Sequence, residues 1–300
     1  MKKTIISILI FFIAGIIGYN FKTDPYSETS VKNGFLNDYR IYALHIPDTL
    51  SLVDESVPIT QKDVKERIDR ELLVNTYWQS NALLLIKRQH KYFPIIEPIL
   101  AQNGIPDDFK YLAVAESGLQ NISSPAGAKG FWQIMKNTAK EYGLEVNKDI
   151  DERYNLEKAT NAACQYLNKA KTKFGSWTLA AASYNAGMNK INQQLDKQKV
   201  DNYYDLFLNE ETSRYIPRII VIKHILSQPK KFGFVYNQKD LYENYKYAEI
   251  MIDSTITDLA VFAKNLGTNY KELKLLNPWL RSNTLPNKSG KTYFLKLIEK

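Results

Sequence analysis

The sequence predicts a mainly α fold followed by a small α+β module of βααβ order. Three observations predict it. Apolar residues recur at helical spacing from Lys62 to Leu226, strand-like alternation is scarce across that span, and beyond residue 245 two alternating stretches flank two short helical ones. In order, Lys62 to His90 carries Val64, Ile68, Leu72 and Leu73 on one stripe, with Trp78, Leu84 and Leu85 further along. Pro94 is expected to interrupt this run, leaving Tyr92 to Gln102 as a second helix. The breaker Asn103-Gly104-Ile105-Pro106 then precedes a third, Asp107 to Glu116, with Pro106 setting its start and Asp107 or Asp108 as its cap. Leu156 to Lys173, Trp177 to Ala186 and Glu211 to Leu226 complete the helical part, and Ser176 is placed to cap the second of these. Pro229 to Asn244 is polar, contains Gly233 and reads as a linker. Tyr247–Ile252, Thr257–Leu266, Tyr270–Leu276 and Thr292–Ile298 give the strand, helix, helix and strand of the terminal module.

At 300 residues, 44% hydrophobic and 24% charged, the chain is long enough for one large domain or two smaller ones, and it falls outside collagen-like, low-complexity and polytopic membrane classes. Aromatic residues make up 12% of it, and twenty are Tyr, rings that suit either a core or a groove for sugars or bases. The single Cys, Cys164, excludes an intramolecular disulfide and reads as a small buried hydrophobe. His45, His90 and His224 stand far apart with no ligand spacing around them, so no metal is expected. The net charge of +8 favours an anionic partner or simply a solvated Lys-rich surface. Met-Lys-Lys followed by the apolar Thr4 to Gly18 reads as an export signal, too short for an ordinary membrane span of ~20 residues. Export, together with the lack of a basic helix or base-reading motif, argues against nucleic acid.

The chemistry centres on Glu116. Counted from Phe109, residues 112, 113 and 116 fall at i+3, i+4 and i+7, so Leu112, Ala113 and Glu116 share a face that is apolar except for the carboxyl. Desolvation there favours the protonated form, the property a general acid needs, and equally suits a structural Glu satisfied by an Arg or by backbone amides. The loop from Ser117 to Gly130 is rich in Gly, Ser and Ala and leads into Phe131-Trp132-Gln133-Ile134-Met135, either as the lining of a polar groove or as a surface loop with Trp132 in the core. Tyr184 and Asn185 lie at a helix end before Gly187, where they suit ligand contact or a core ring and a cap. Glu211 sits at the start of the last helix of the helical part, a favourable place for an acid beside the helix dipole.

Taken together, Glu116-Ser117, Ser124 to Met135, Ser183-Tyr184-Asn185-Ala186-Gly187 and Glu211-Thr212-Ser213-Arg214-Tyr215 resemble, in order and spacing, the signature blocks of the soluble lytic transglycosylase and goose-type lysozyme superfamily. The lead-in Glu71 to Trp78 looks like that of the family's membrane-bound murein transglycosylase branch, and the terminal module resembles a LysM repeat whose usual Gly-Asp-Thr is here Asp253-Ser254-Thr255. The residue pattern and the resemblance together divide the chain into a signal peptide or signal anchor over residues 1–20, an extended segment and helix over 21–85, what the resemblance implies is a lysozyme-like helical catalytic domain over 86–230, a linker over 231–245 and a LysM-like module over 246–300. It implies non-hydrolytic cleavage of the MurNAc-GlcNAc β-1,4 bond of peptidoglycan in the periplasm or cell envelope, with possible membrane attachment through the N-terminal segment and no cofactor. Glu116 takes the catalytic position. Ser124, Gln133 and Met135 would line the groove, Tyr184 and Asn185 would hold the sugar opposite Glu116, and Tyr215 would support the carboxyl. Phe131-Trp132 stands where Gly-Leu-Met is commoner, which implies a wider aromatic wall. Two other readings stay open. One is a hydrolase of the same fold, using Glu141, Glu145, Asp149, Asp151 or Glu152 as a second carboxylate, and the other is a non-catalytic wall-binding protein.

Overall fold

A computed structural model describes residues 41–299. The expected signal segment over 1–20 and the beginning of the segment that follows lie outside the described residues. Among the described residues no helix is long and apolar enough to cross a membrane. The first elements are two short antiparallel strands, β1 (Ser51–Leu52) and β2 (Glu55–Ser56). Helix α1 (Lys62–Tyr77) buries Val64, Ile68, Glu71 and Leu72, the expected stripe with a carboxylate in it.

Helix α2 (Gln79–Gln102) departs from expectation. The break falls at Trp78, and the helix runs uninterrupted through Pro94 and Pro98. Both prolines are exposed and four residues apart, so the carbonyls they strip of partners face solvent, while Phe93, Ile96 and Leu100 bury the opposite face. Packing on the inner stripe outweighs the two lost hydrogen bonds.

A 3₁₀ turn, Asp107–Phe109, leads into α3 (Lys110–Ser117), which Gly118 ends in a left-handed conformation at φ 59°. Neither aspartate caps it, contrary to expectation. Asp107 accepts from Lys110 Nζ at 2.6 Å, and Asp108 accepts from the Val53 amide at 2.5 Å and from Lys223 Nζ at 2.6 Å. A neighbouring lysine side chain for Asp107, and long-range donors for Asp108, have taken the oxygens that a cap would need.

Helix α4 (Lys136–Glu141) is short. Helix α5 (Leu156–Phe174) is capped by the Asn155 side chain and buries Leu167 together with Ala159, Ala162, Ala163, Cys164 and Ala170, small residues that let neighbouring helices approach. Cys164 is fully buried and its thiol pKa is pushed up to about 12. Ser176 caps α6 (Trp177–Ala186) as expected, and Glu55 adds its carboxylate to the amides of Trp177 and Thr178 at that N-terminus. Then follow α7 (Met188–Gln198) and α8 (Glu210–Ser227), the latter capped by Asn209. Helix α8 packs against α1, α3 and α6 and buries Tyr215, Ile216, Ile219 and Ile220, which makes it the central strut of the helical region.

The segment expected as a linker, 231–245, is ordered: it contains a 3₁₀ turn at Gln238–Asp240, and Phe234 is buried in the main core. Beyond it, β3 (Tyr247–Ile252), α9 (Leu259–Asn265), α10 (Tyr270–Leu276) and β4 (Tyr293–Ile298) follow the expected order. The two strands pair antiparallel, Tyr247 opposite Ile298 and Ile252 opposite Tyr293. This module has its own apolar cluster, which Ile150 and Tyr154 of the helical region complete. Backbone bonds from Asp151 to Trp279 at 2.9 Å and from Arg281 to Asp149 at 2.7 Å join the two parts.

Candidate active site

Glu116 lies in the last turn of α3, half-buried, two residues before the glycine that stops the helix. Its Oε1 accepts a hydrogen bond from the hydroxyl of Tyr215 on α8. Burial pushes its pKa up to about 7, against the lowering effect of the Tyr215 bond and the Arg218 charge, while Glu211 adds to the rise. Near neutral pH the group can therefore both give and take a proton. Tyr215 and Tyr184 are each held well above the ordinary phenol range, by burial first and by the Glu116 charge second, so both remain neutral donors. Tyr184 spends its proton on the Trp132 carbonyl at 2.8 Å.

The loop after α3 is tied down along its length. Ser117 Oγ donates to the Phe131 carbonyl at 2.7 Å, and bridges link Ser123 with Lys129 and Lys129 with Ile134. Gly130, at φ 79°, leaves no room for a side chain, because a Cβ there would sit 1.9 Å from the Arg153 carbonyl oxygen. Gln133 takes a left-handed φ of 46°, and its Nε2 donates to the Gly130 carbonyl at 2.7 Å and the Ile122 carbonyl at 3.2 Å. From below, Arg153 holds the loop through the carbonyls of Gly127 at 3.0 Å and Ile134 at 3.1 Å, and is itself held by both oxygens of Asp151.

A cavity of about 230 Å³ opens beside this loop, with Gln133, Met135, Tyr184 and Asn185 among its lining residues. Asn185 Oδ1 accepts from the Thr212 hydroxyl at 3.1 Å. Tyr215 meets Glu116 itself, whereas Ser124 is not among the cavity's lining residues: its hydroxyl accepts from the Ala128 amide at 3.0 Å and closes a turn. The aromatic wall is also built from other residues than expected. Trp132 is fully buried, with its indole N–H donating to Thr160 Oγ1 at 2.8 Å, and Phe131 is buried too. The wall is a ladder of edge-on rings, Tyr142 to Tyr166 at 6.1 Å and Tyr166 to Tyr184 at 5.2 Å. Tyr142 and Tyr166 carry no local signature in the sequence, because only tertiary packing brings Tyr142 at the end of α4, Tyr166 on α5 and Tyr184 on α6 together.

Four of the carboxylates expected as candidate second acids are engaged elsewhere. Glu141 pairs with Lys169, Glu145 with Lys291, Asp151 with Arg153 and Glu152 with Lys158. The carboxylate whose charge reaches Glu116 is Glu211, and Arg218 holds it at 3.1 Å. Among the described residues no group of three or more His, Cys, Asp or Glu is placed to hold a metal ion.

A carboxyl with a raised pKa, bonded to one tyrosine and acting on another that lines a cavity, on a helical scaffold that carries a docked βααβ unit, defines a class that sequence comparison makes specific. Residues 93–207 match the transglycosylase SLT domain, and residues 248–300 match the soluble lytic transglycosylase C-terminal LysM-like domain. The chain carries both domains. It is homologous to membrane-bound lytic murein transglycosylase D of Escherichia coli strain K12, with 27% identity over 214 residues that cover 69% of this chain and 46% of that protein. The same protein of Escherichia coli O6:H1 matches to the same extent. The chain thus spans a little under half the length of the curated relatives it matches. Among solved structures, the 70 kDa soluble lytic transglycosylase of Escherichia coli is similar at 19% identity and a TM-score of 0.40, over 51% of this chain and 27% of that one. An inactive mutant of lytic transglycosylase Slt from Pseudomonas aeruginosa is similar at 17% identity and a TM-score of 0.37, over 51% and 26%.

Proposed function

We propose that this protein is a peptidoglycan lytic transglycosylase that cleaves the MurNAc-GlcNAc β-1,4 bond and leaves 1,6-anhydro-MurNAc ends. The observation that carries the reading is Glu116, poised near pH 7, bonded to Tyr215 and acting through its charge on Tyr184, which lines the tyrosine-walled cavity. In this reading the Glu116 carboxyl gives its proton to the departing GlcNAc oxygen as the glycosidic bond breaks. The resulting carboxylate then takes the proton of the muramic C6 hydroxyl, whose oxygen closes on the anomeric carbon. The attack is intramolecular, so effective concentration replaces a positioned water, and no second carboxylate is required. Tyr215 stabilises the carboxylate between the two transfers. Gln133, Met135, Tyr184 and Asn185 contact the glycan, the tyrosine ladder offers edges and faces to sugar rings, and the LysM-like module adds a second hold on the strand. A net charge of +8 suits an anionic wall polymer, and the charged start followed by the apolar Thr4 to Gly18 supports a cell-envelope location, with membrane attachment if that segment is retained.

The charge of Glu211 at Glu116 is the one observation that favours a hydrolytic alternative. Digestion of purified cell-wall sacculi decides between the readings. Anhydro-muramic ends are expected from the wild type, and Glu116→Gln is expected to lose about 10²–10⁴-fold in turnover while still binding the wall. Free reducing ends in their place overturn the transglycosylase reading in favour of hydrolysis. A Glu116→Gln protein that digests and binds as the wild type does overturns any catalytic role for this carboxyl.

A further inference from the structure

Glu71 lies on α1, outside the residues that match the SLT domain, yet it is 1% exposed. Its position at i+7 from Val64 puts a carboxylate on an otherwise apolar stripe, and such a group is costly to bury without partners. Two of its partners come from α8. Arg214 Nε donates to Glu71 Oε1 at 2.8 Å, and Arg218 Nε stands 3.5 Å from Oε2. Arg70 Nη1 at 2.9 Å and Asn75 Nδ2 at 3.2 Å, both on α1, complete the shell.

On α8, residues 211, 214, 215 and 218 fall at i, i+3, i+4 and i+7 and so share one face. That face carries Glu211, Arg214, Tyr215 and Arg218 together. Arg218 stands between two acids, Glu71 and Glu211, and its charge acts on Glu116. The ionisable groups acting on Glu116 are Tyr215, Arg218 and Glu211 from α8 and Tyr184 from α6. Tyr203, whose hydroxyl donates to the Thr212 and Ser213 carbonyls, feels the charges of both Arg218 and Arg67 of α1, the latter paired with Asp63.

We infer that Glu71 is a positioning residue for Glu116: by clamping Arg214 and Arg218 it fixes the face of α8 that presents Tyr215, and its charge cancels the cation that Arg218 directs at that carboxyl. The inference rests on the reading of Glu116 as acid and base. Without the Glu71 charge, Arg218 and Arg214 stabilise the Glu116 carboxylate, and the acid form is lost at lower pH. Without Arg218, Glu211 is left unopposed, and the acid form persists to higher pH.

The test is the pH profile of kcat/KM on sacculi for the wild type, Glu71→Gln, Arg218→Gln and the double variant. Glu71→Gln is expected to move the alkaline limb down by about 0.5–1 pH unit, costing about 3–10-fold in rate at pH 8, where the wild type is already declining. Arg218→Gln is expected to move the limb up by a similar amount, and the double variant to return it toward the wild-type position. A loss that is uniform in pH, with the limb unmoved, overturns the inference and leaves Glu71 a purely structural residue. Should Glu71→Gln fail to fold, Arg218→Gln alone decides, since that side chain is 21% exposed: an unmoved limb there overturns the inference equally. Product type is scored separately. Reducing ends overturn the proposed reaction, while the limb shift is read on either product.

Discussion

In the helical region Glu71, Asp151, Glu152 and Arg153 are each no more than 3% exposed, and all are ion-paired. In the terminal module the buried polar side chains are the neutral amides Asn277 and Asn287, and charge stays at its rim. There Lys291 reaches Glu145 and Lys296 reaches Glu157, across the junction with the helical region. The two regions also differ in how they complete a core. The helices bury a continuous apolar cluster of their own, whereas a module of about fifty residues buries too small a fraction of its surface to be comfortably stable and takes Ile150 and Tyr154 from its neighbour. The lesson is that charge goes inside where a large core fixes every partner, and that is where a carboxyl with a shifted pKa can be held. The smaller unit uses apolar contact and backbone bonds for attachment and leaves ion pairs outside to orient it.

The largest expected effect lies in the helical region. Gly130→Ala must displace the Arg153 carbonyl and adopt a positive φ, so we expect a loss of about 3 kcal/mol or more in denaturant unfolding, together with lost digestion because the same turn carries Gln133. A variant within about 1 kcal/mol of the wild type would show that this loop is not held as tightly as its contacts indicate.

Next comes the stability cost of the shifted carboxyl. The folded protein holds the Glu116 proton up to about pH 7, while the unfolded chain releases it near 4.5. The stability this proton confers is therefore complete below about pH 4.5 and is lost as pH rises through 7. Glu116→Gln escapes the loss. At pH 8 it should be more stable than the wild type by about 2–3 kcal/mol, with the difference fading toward pH 4. Equal melting temperatures for the two proteins at pH 8 would remove the case for a desolvated carboxyl.

The smallest effect is expected at the junction. Lys291→Met combined with Lys296→Met should cost about 1 kcal/mol in all, because both pairs are partly exposed while the Ile150 and Tyr154 contacts and the backbone bonds remain. Limited proteolysis reads this directly. Rapid cleavage between residues 235 and 246 in the double variant would mean that the ion pairs, and not the apolar contacts, hold the module.

Much of this was legible in the sequence. The 3.6 periodicity located most of the helices, though not Lys136–Glu141 or Met188–Gln198, Ser176 acts as the cap its chemistry suggested, and the strand-helix-helix-strand order of the module stood out from its alternation. Pro94 misled because a proline's effect depends on which side of the helix it faces, and that side is set by packing. Asp107 and Asp108 misled because Lys110, Lys223 and the Val53 amide compete for their oxygens. Trp132 turned inward because a partner for its N–H, Thr160, waits in the core. Glu71 was within reach of the argument that found Glu116, a carboxylate on an apolar stripe, although nothing local identified its arginines.

The sequence by itself determined which face of each helix is apolar and that two of those faces, on α1 and α3, carry a carboxylate, because residue spacing along a helix is local information. Only the tertiary structure decided what each carboxylate meets. Tyr215 reaches Glu116 from 99 residues away, and Arg214 reaches Glu71 from 143. Desolvation and charge compensation depend on what packs against a side chain, and a linear pattern states that a face will be covered without stating by what.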